Sequence, residues 1–259
     1  MTGMRMSTTI RWCTPIRAGI VADYCASIPS ESGRAACVGG TMTVEEKLQQ
    51  YNVTLDGEME GWTYERKYAV WAAVSAVGQA FARTRGQGET AAEAFRAVYG
   101  HVDFTWGKEH ATGICAEVTS GGCTSSRYQI NFWSMSGDID HTVFRMTKNV
   151  IHELGHAFNV ARGYRDASGH WKNADASMPF EVDKARDLLP PNVLPGSTDA
   201  FPRYLNWQQH PPGLIAGEQD TSSEVFADMF IAWTYRVWNP AAKSEKIATA
   251  EAWMARLVP

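Results

Sequence analysis

Hydrophobic positions along this chain follow two periods, a helical one that dominates and a strand-like one confined to short stretches. Thr43 with Glu46 three residues on, ahead of Leu48 and Tyr51, is a capping box and opens the first predicted helix. From Trp62 the Ala- and Val-rich run WTYERKYAVWAAVSAVGQAFARTRG predicts a long helix that stops at Gly86, and TAAEAFRAVYG predicts another that stops at Gly100. HVDFTWG and RYQINFW alternate apolar with polar residues and predict strands. The most regular helical pattern runs from about Asp140 to Arg162, with Gly163 as its stop signal. Two further helices, SSEVFADMFIAWTYRVW and AAKSEKIATAEAWMARLV, are separated by Asn239-Pro240, and Ser222 or Thr221 is placed to cap the first of them.

Two regions lack this regularity. Residues 1–42 read as an irregular, cysteine-bearing segment ahead of one domain spanning 43–259. The stretch from about 164 to 220 holds most of the prolines, and a connection of that length is functional or carries short elements of its own. The expected fold class is α+β: a small sheet packed on the helix around residue 150, and a helical C-terminal part.

That central helix carries HELGH at residues 152–156. At about 100° per residue, His156 falls about 40° from His152, and Arg145, Asn149 and Asn159 lie within about 60° of it. Val143, Val150, Leu154, Ala157 and Ala161 cluster on the opposite side. The histidines therefore sit on the polar face of an amphipathic helix, where two imidazoles one turn apart can point nitrogen lone pairs at one Zn2+ ion. Glu153, about 100° round, is not placed as a ligand beside them but can take a proton from a zinc-bound water.

Two histidines do not complete such a site. Asn159 and Arg162 stand where the HExxHxxGxxH pattern would need glycine and histidine, and GSTDAFPRY offers Asp199 with its tyrosine out of register. The stronger candidate is TSSEVFADMF, in which Glu224 and Asp228 share one side of a helix while Val225, Phe226, Met229, Phe230 and Trp233 fill the other. Two acids on a mostly apolar helix are costly to bury without a cationic partner.

HELGH followed by a later helix bearing E-x-x-x-D resembles the gluzincin clan of zinc metallopeptidases. The resemblance covers these two helices, about forty residues, and implies a zincin-like fold. It also implies His152, His156 and Glu224 as metal ligands, Glu153 as general base, and Asp228 as the acid that orients a histidine ligand. Sixty-seven residues separate His156 from Glu224, longer than the connection in thermolysin-like members. The implied activity is hydrolysis of peptide bonds in a peptide or protein substrate, with RYQINFW as the edge strand that pairs with it. Tyr204 and His210, in the long connection, are the preferred catalytic candidates for stabilising the oxyanion, ahead of Tyr164 and His170. The other readings are a catalytically idle zincin-like binding module, and a zinc amidase acting on a non-protein substrate.

Composition narrows the setting. At 44% hydrophobic and 20% charged the chain is an ordinary globular one, and a net charge of -4 gives no reason to expect a nucleic-acid partner. No apolar run approaches the roughly 18 residues that span a bilayer. The start, MTGMRMSTTIRWC, lacks the apolar stretch of a secretory signal. Five cysteines include Cys115 and Cys123 flanking a TSGG turn, and Cys13, Cys25 and Cys37 in the irregular segment. Disulfides there favour an oxidising, secreted or extracytoplasmic compartment.

Overall fold

The computed structural model describes residues 42–86, 88–107, 122–133, 143–190 and 222–259. The chain divides into two units, Met1–Thr41 and Met42–Pro259, and every described residue belongs to the second.

Local signals set most element starts. Helix α1 (Val44–Gln50) opens on its capping box, with the Glu46 N–H donating to Thr43 Oγ1 at 3.2 Å and the Thr43 N–H to Glu46 Oε2 at 2.7 Å. Asn52 then takes a left-handed φ of 58° to turn the chain into strand β1 (Val53–Gly57), and its side-chain amide donates to Gly100 O at 2.7 Å. Helix α2 (Tyr64–Arg85) begins two residues later than the hydrophobic pattern suggests. Thr63 caps it, while Trp62 is buried and donates its indole N–H to Asp56 O at 2.8 Å. Helix α3 (Ala91–Tyr99) has its own capping box, Thr90 with Glu93, and stops at Gly100, whose φ of 76° suits glycine.

The sheet contains β1, β2 (Val102–Gly107), β4 (Gln129–Trp133) and β3 (Gly122–Ser126), in that spatial order. The first three are parallel, and β3 runs antiparallel to β4. Val102, Phe104 and Trp106 alternate inward on β2, and Ile130 and Phe132 on β4 share that buried face. Phe104 and Phe132 stack at 6.2 Å. The opposite face is polar, with His101 and Thr54 both bonded to Asp103. Thus RYQINFW is a strand, but not the expected edge: β4 pairs on both sides, and among the described residues the outer strands of the sheet are β1 and β3. Alternation reports that a strand has one buried face and carries no information on how many neighbours flank it. Cys123 on β3 is disulfide-bonded. The other four cysteines lie outside the described residues.

Helix α4 (Val143–Ala161) carries HELGH and packs against α2, β3, β4 and the later helix α6 (Ser222–Tyr235). Between them lie a two-residue hairpin, β5 (Tyr164–Arg165) with β6 (Trp171–Lys172), a 3-10 turn (Ala174–Ser177) and the short α5 (Val182–Arg186). Helix α7 (Ser244–Leu257) follows, and Trp253 meets Phe226 edge-on at 5.6 Å. Phe158 of α4 is the hub of an aromatic core, 5.4 Å from Phe81 of α2 and 5.2 Å from Phe230 of α6. Buried Tyr99, whose phenol is pushed well up by desolvation, donates to Leu154 O at 2.7 Å and ties α3 to the middle of HELGH. The described part is therefore α+β, with a small mixed sheet and helices. Among the described residues, no helix is long and apolar enough to cross a membrane.

At Gly155 the helices α4 and α6 approach closely. A Cβ there would lie 3.0 Å from Ala227 Cα and 3.1 Å from Phe230 Cβ. A branched side chain has no room between two helix backbones. Gly155→Val is therefore expected to destabilise the protein by about 1–3 kcal/mol through overpacking, measured as a lowered denaturant midpoint.

Candidate metal centre

The polar face of α4 is not solvated. His152 is 2% exposed and Asn159 1%, because the first turns of α6 and the 3-10 turn cover them. Buried polar groups must find partners, and here α6 supplies them. Its Glu224 and Asp228, one turn apart, both reach His152: Asp228 Oδ1 is 3.0 Å from Nδ1 and Glu224 Oε2 is 3.1 Å from Nε2. Asp228, 3% exposed, is as buried as the imidazole it meets.

Three atoms converge. His152 Nε2 and His156 Nε2 are 3.1 Å apart, and Glu224 Oε2 lies 3.1 Å from the first and 3.4 Å from the second. Among the described residues this is the group able to hold a metal ion. The ring orientations favour that use. An ionised carboxylate only accepts, so His152 Nδ1 donates to Asp228 and Nε2 is turned to the centre, where it carries a proton toward Glu224 or, without that proton, offers its lone pair to a cation. His156 Nδ1 lies 3.1 Å from Ser223 Oγ, which leaves its Nε2 facing the same point.

Charge reinforces the geometry. Burial opposes the imidazolium form of His152, but hydrogen bonds and charge from Asp228 and Glu224 outweigh it and raise the pKa well above the ordinary histidine value. The centre is thus a place that stabilises positive charge.

Glu153 is not part of that triangle, as its position on the helix requires. Thr124 Oγ1 of β3 lies 2.8 Å from both Glu153 Oε2 and the Glu153 carbonyl oxygen. Strand register explains the meeting. Gly122 and Thr124 oppose Phe132 and Ile130 on β4, and so share the sheet face that packs on α4. A Cβ on Gly122 would stand 3.2 Å from Glu153 Oε1, so this glycine leaves the carboxylate its space.

The structure thus brings His152, His156, Glu224 and Asp228 together and holds Glu153 beside the edge strand. Tyr204, His210, Asp199 and Thr221 lie outside the described residues. Tyr164 and His170 are exposed on the β5–β6 hairpin. Ser223, Thr124 and Asp175 are participants that the sequence pattern does not single out. Ser223 carried one usable signal, since it precedes Glu224 in the same helical turn. Thr124 carried none, because its contact depends on strand pairing.

Asp228→Ala would leave the buried His152 N–H without its acceptor. The expected result is metal affinity about 10–100-fold weaker, read by competition with a chelator of known affinity. Among known proteins the chain matches no family model, no curated protein and no solved structure.

Proposed function

We propose that this chain is a zinc-dependent metallopeptidase of the gluzincin kind, on a zincin-like fold, that hydrolyses peptide bonds with Glu153 as general base. The observation that carries this reading is the triangle of His152 Nε2, His156 Nε2 and Glu224 Oε2, with edges of 3.1, 3.1 and 3.4 Å. Zinc bonds imidazole nitrogen and carboxylate oxygen at about 2.0–2.2 Å, so three corners of a tetrahedral site stand about 3.3–3.6 Å apart, close to the spacing of this triangle. Two histidines and a glutamate are a set that catalytic zinc uses, leaving a fourth position for water.

When bound, zinc polarises the scissile carbonyl and makes a water acidic near neutral pH. The remaining work falls to side chains. Asp228 and Ser223 orient the two imidazoles from behind. Thr124 holds Glu153 Oε2 by its hydroxyl, and Oε1, on the Gly122 side, is the oxygen left to accept the proton from the attacking water and return it to the leaving amine. A peptide lying extended along β3 passes Glu153, so β3 takes the part expected of β4. The disulfide at Cys123 supports an oxidising, extracytoplasmic setting.

Two variants separate the roles. Glu153→Gln is expected to keep its zinc while hydrolysis of fluorescein-labelled casein falls by about 10²–10⁴-fold; unchanged hydrolysis would remove Glu153 from the mechanism. Glu224→Ala is expected to lose zinc, read as metal per protein by mass spectrometry, and casein hydrolysis with it. A zinc-loaded wild-type protein that leaves casein intact would point instead to a binding module or a non-protein substrate.

A further inference from the structure

Glu224 has an exposed position for a ligand that must be held still. It lies in the first turn of α6, with its side chain 28% exposed, whereas His152 is buried in the middle of a packed helix. Helix ends fray, and their hydrogen bonds open before those of the interior. A metal site needs its ligands fixed to about 0.5 Å. Something must pin this turn.

A closed set of hydrogen bonds does so, and it involves a residue from neither helix. Ser222, the first residue of α6, donates its hydroxyl to Asp175 Oδ2 on the 3-10 turn. The Asp175 N–H donates to Asn159 Oδ1 of α4 at 2.8 Å. That bond fixes which way the Asn159 amide faces, and its Nδ2 donates to Ser223 Oγ at 3.3 Å. Ser223 Oγ in turn meets His156 Nδ1 at 3.1 Å. The circuit runs from α4 through the turn to α6 and back to α4. The Asp175 carboxylate also places negative charge at the N-terminal end of α6, where the helix dipole favours it.

We infer that Asp175 is a positioning residue for the metal centre: its carboxylate holds the first turn of α6 against α4, and so keeps Glu224 in register with His152 and His156. This rests on the metal reading of the site. It also assigns a role to part of the long connection between the two helices, since the turn lies within it.

The test uses the full chain and zinc alone, with affinity measured by competition against a fluorescent chelator and the ligand field followed by the visible spectrum of the Co2+-substituted protein. Asp175→Ala removes the carboxylate and keeps the backbone N–H. It is expected to weaken zinc binding at least about tenfold and to shift the Co2+ bands. Asp175→Asn retains an oxygen that accepts from Ser222, and is expected to bind zinc within a few-fold of wild type. Ser222→Ala should match Asp175→Ala, with the double variant no worse than either single one; it also serves should Asp175→Ala fold poorly. A purely structural contact would lower the thermal midpoint of the metal-free protein and leave zinc affinity alone, and that result overturns the inference. So does an Asp175→Asn variant as weak as Asp175→Ala. Failure of the wild-type protein to take up zinc would overturn the metal reading and this role with it, whereas normal uptake with both single variants unaffected would overturn this role alone.

Discussion

Two helices meet in the interior of this protein through the faces that ordinarily point to water. Helix α4 presents His152, His156 and Asn159, and α6 presents Ser223, Glu224 and Asp228. Each group costs free energy to remove from water, and two carboxylates one turn apart also repel each other. The arrangement is stable only if positive charge sits between them and every remaining polar atom is matched. The raised pKa of His152 expresses that demand, met by a proton. A cation seated among the two Nε2 atoms and Glu224 Oε2 meets it without that proton, and leaves each imidazole its outer hydrogen bond.

The apolar structure around this contact makes the close approach possible. Gly155 removes a side chain where the helices cross, and Phe81, Phe158 and Phe230 fill the space behind. The buried face of the sheet packs on the side of α4 that bears Glu153, so Thr124 reaches that carboxylate from the edge strand. The two histidines and Glu153, neighbours in sequence, are thereby given separate surroundings. The histidines face a second helix and Glu153 faces a strand, because about 100° of helix separates them.

Much of the secondary structure was legible because its signals are local. Thr43 with Glu46 and Thr90 with Glu93 are capping boxes in the sequence and in the structure, and Gly86 and Gly100 end the helices they follow. Helical periodicity placed His152 and His156 on one face and Glu224 with Asp228 on another, and the structure joins those faces. The sheet was less legible. RYQINFW has the alternation of a strand, yet its place between β2 and β3 follows from which strands pair with it. Likewise Trp62 is as apolar as a helix residue should be, but Thr63 begins the helix and the indole is drawn to Asp56 instead.

The helices, their faces and the residue types able to gather a metal are thus readable from the order of residues alone, since spacing along one helix depends only on backbone geometry. Only the tertiary packing sets the two polar faces against each other, puts β3 beside Glu153, and brings Thr124 to Glu153, Ser223 to His156 and Asp175 to Ser222. The Ser222–Asp175 and Thr124–Glu153 bonds span 47 and 29 residues. Contacts of that reach depend on how whole elements pack, and no local pattern of residues encodes them.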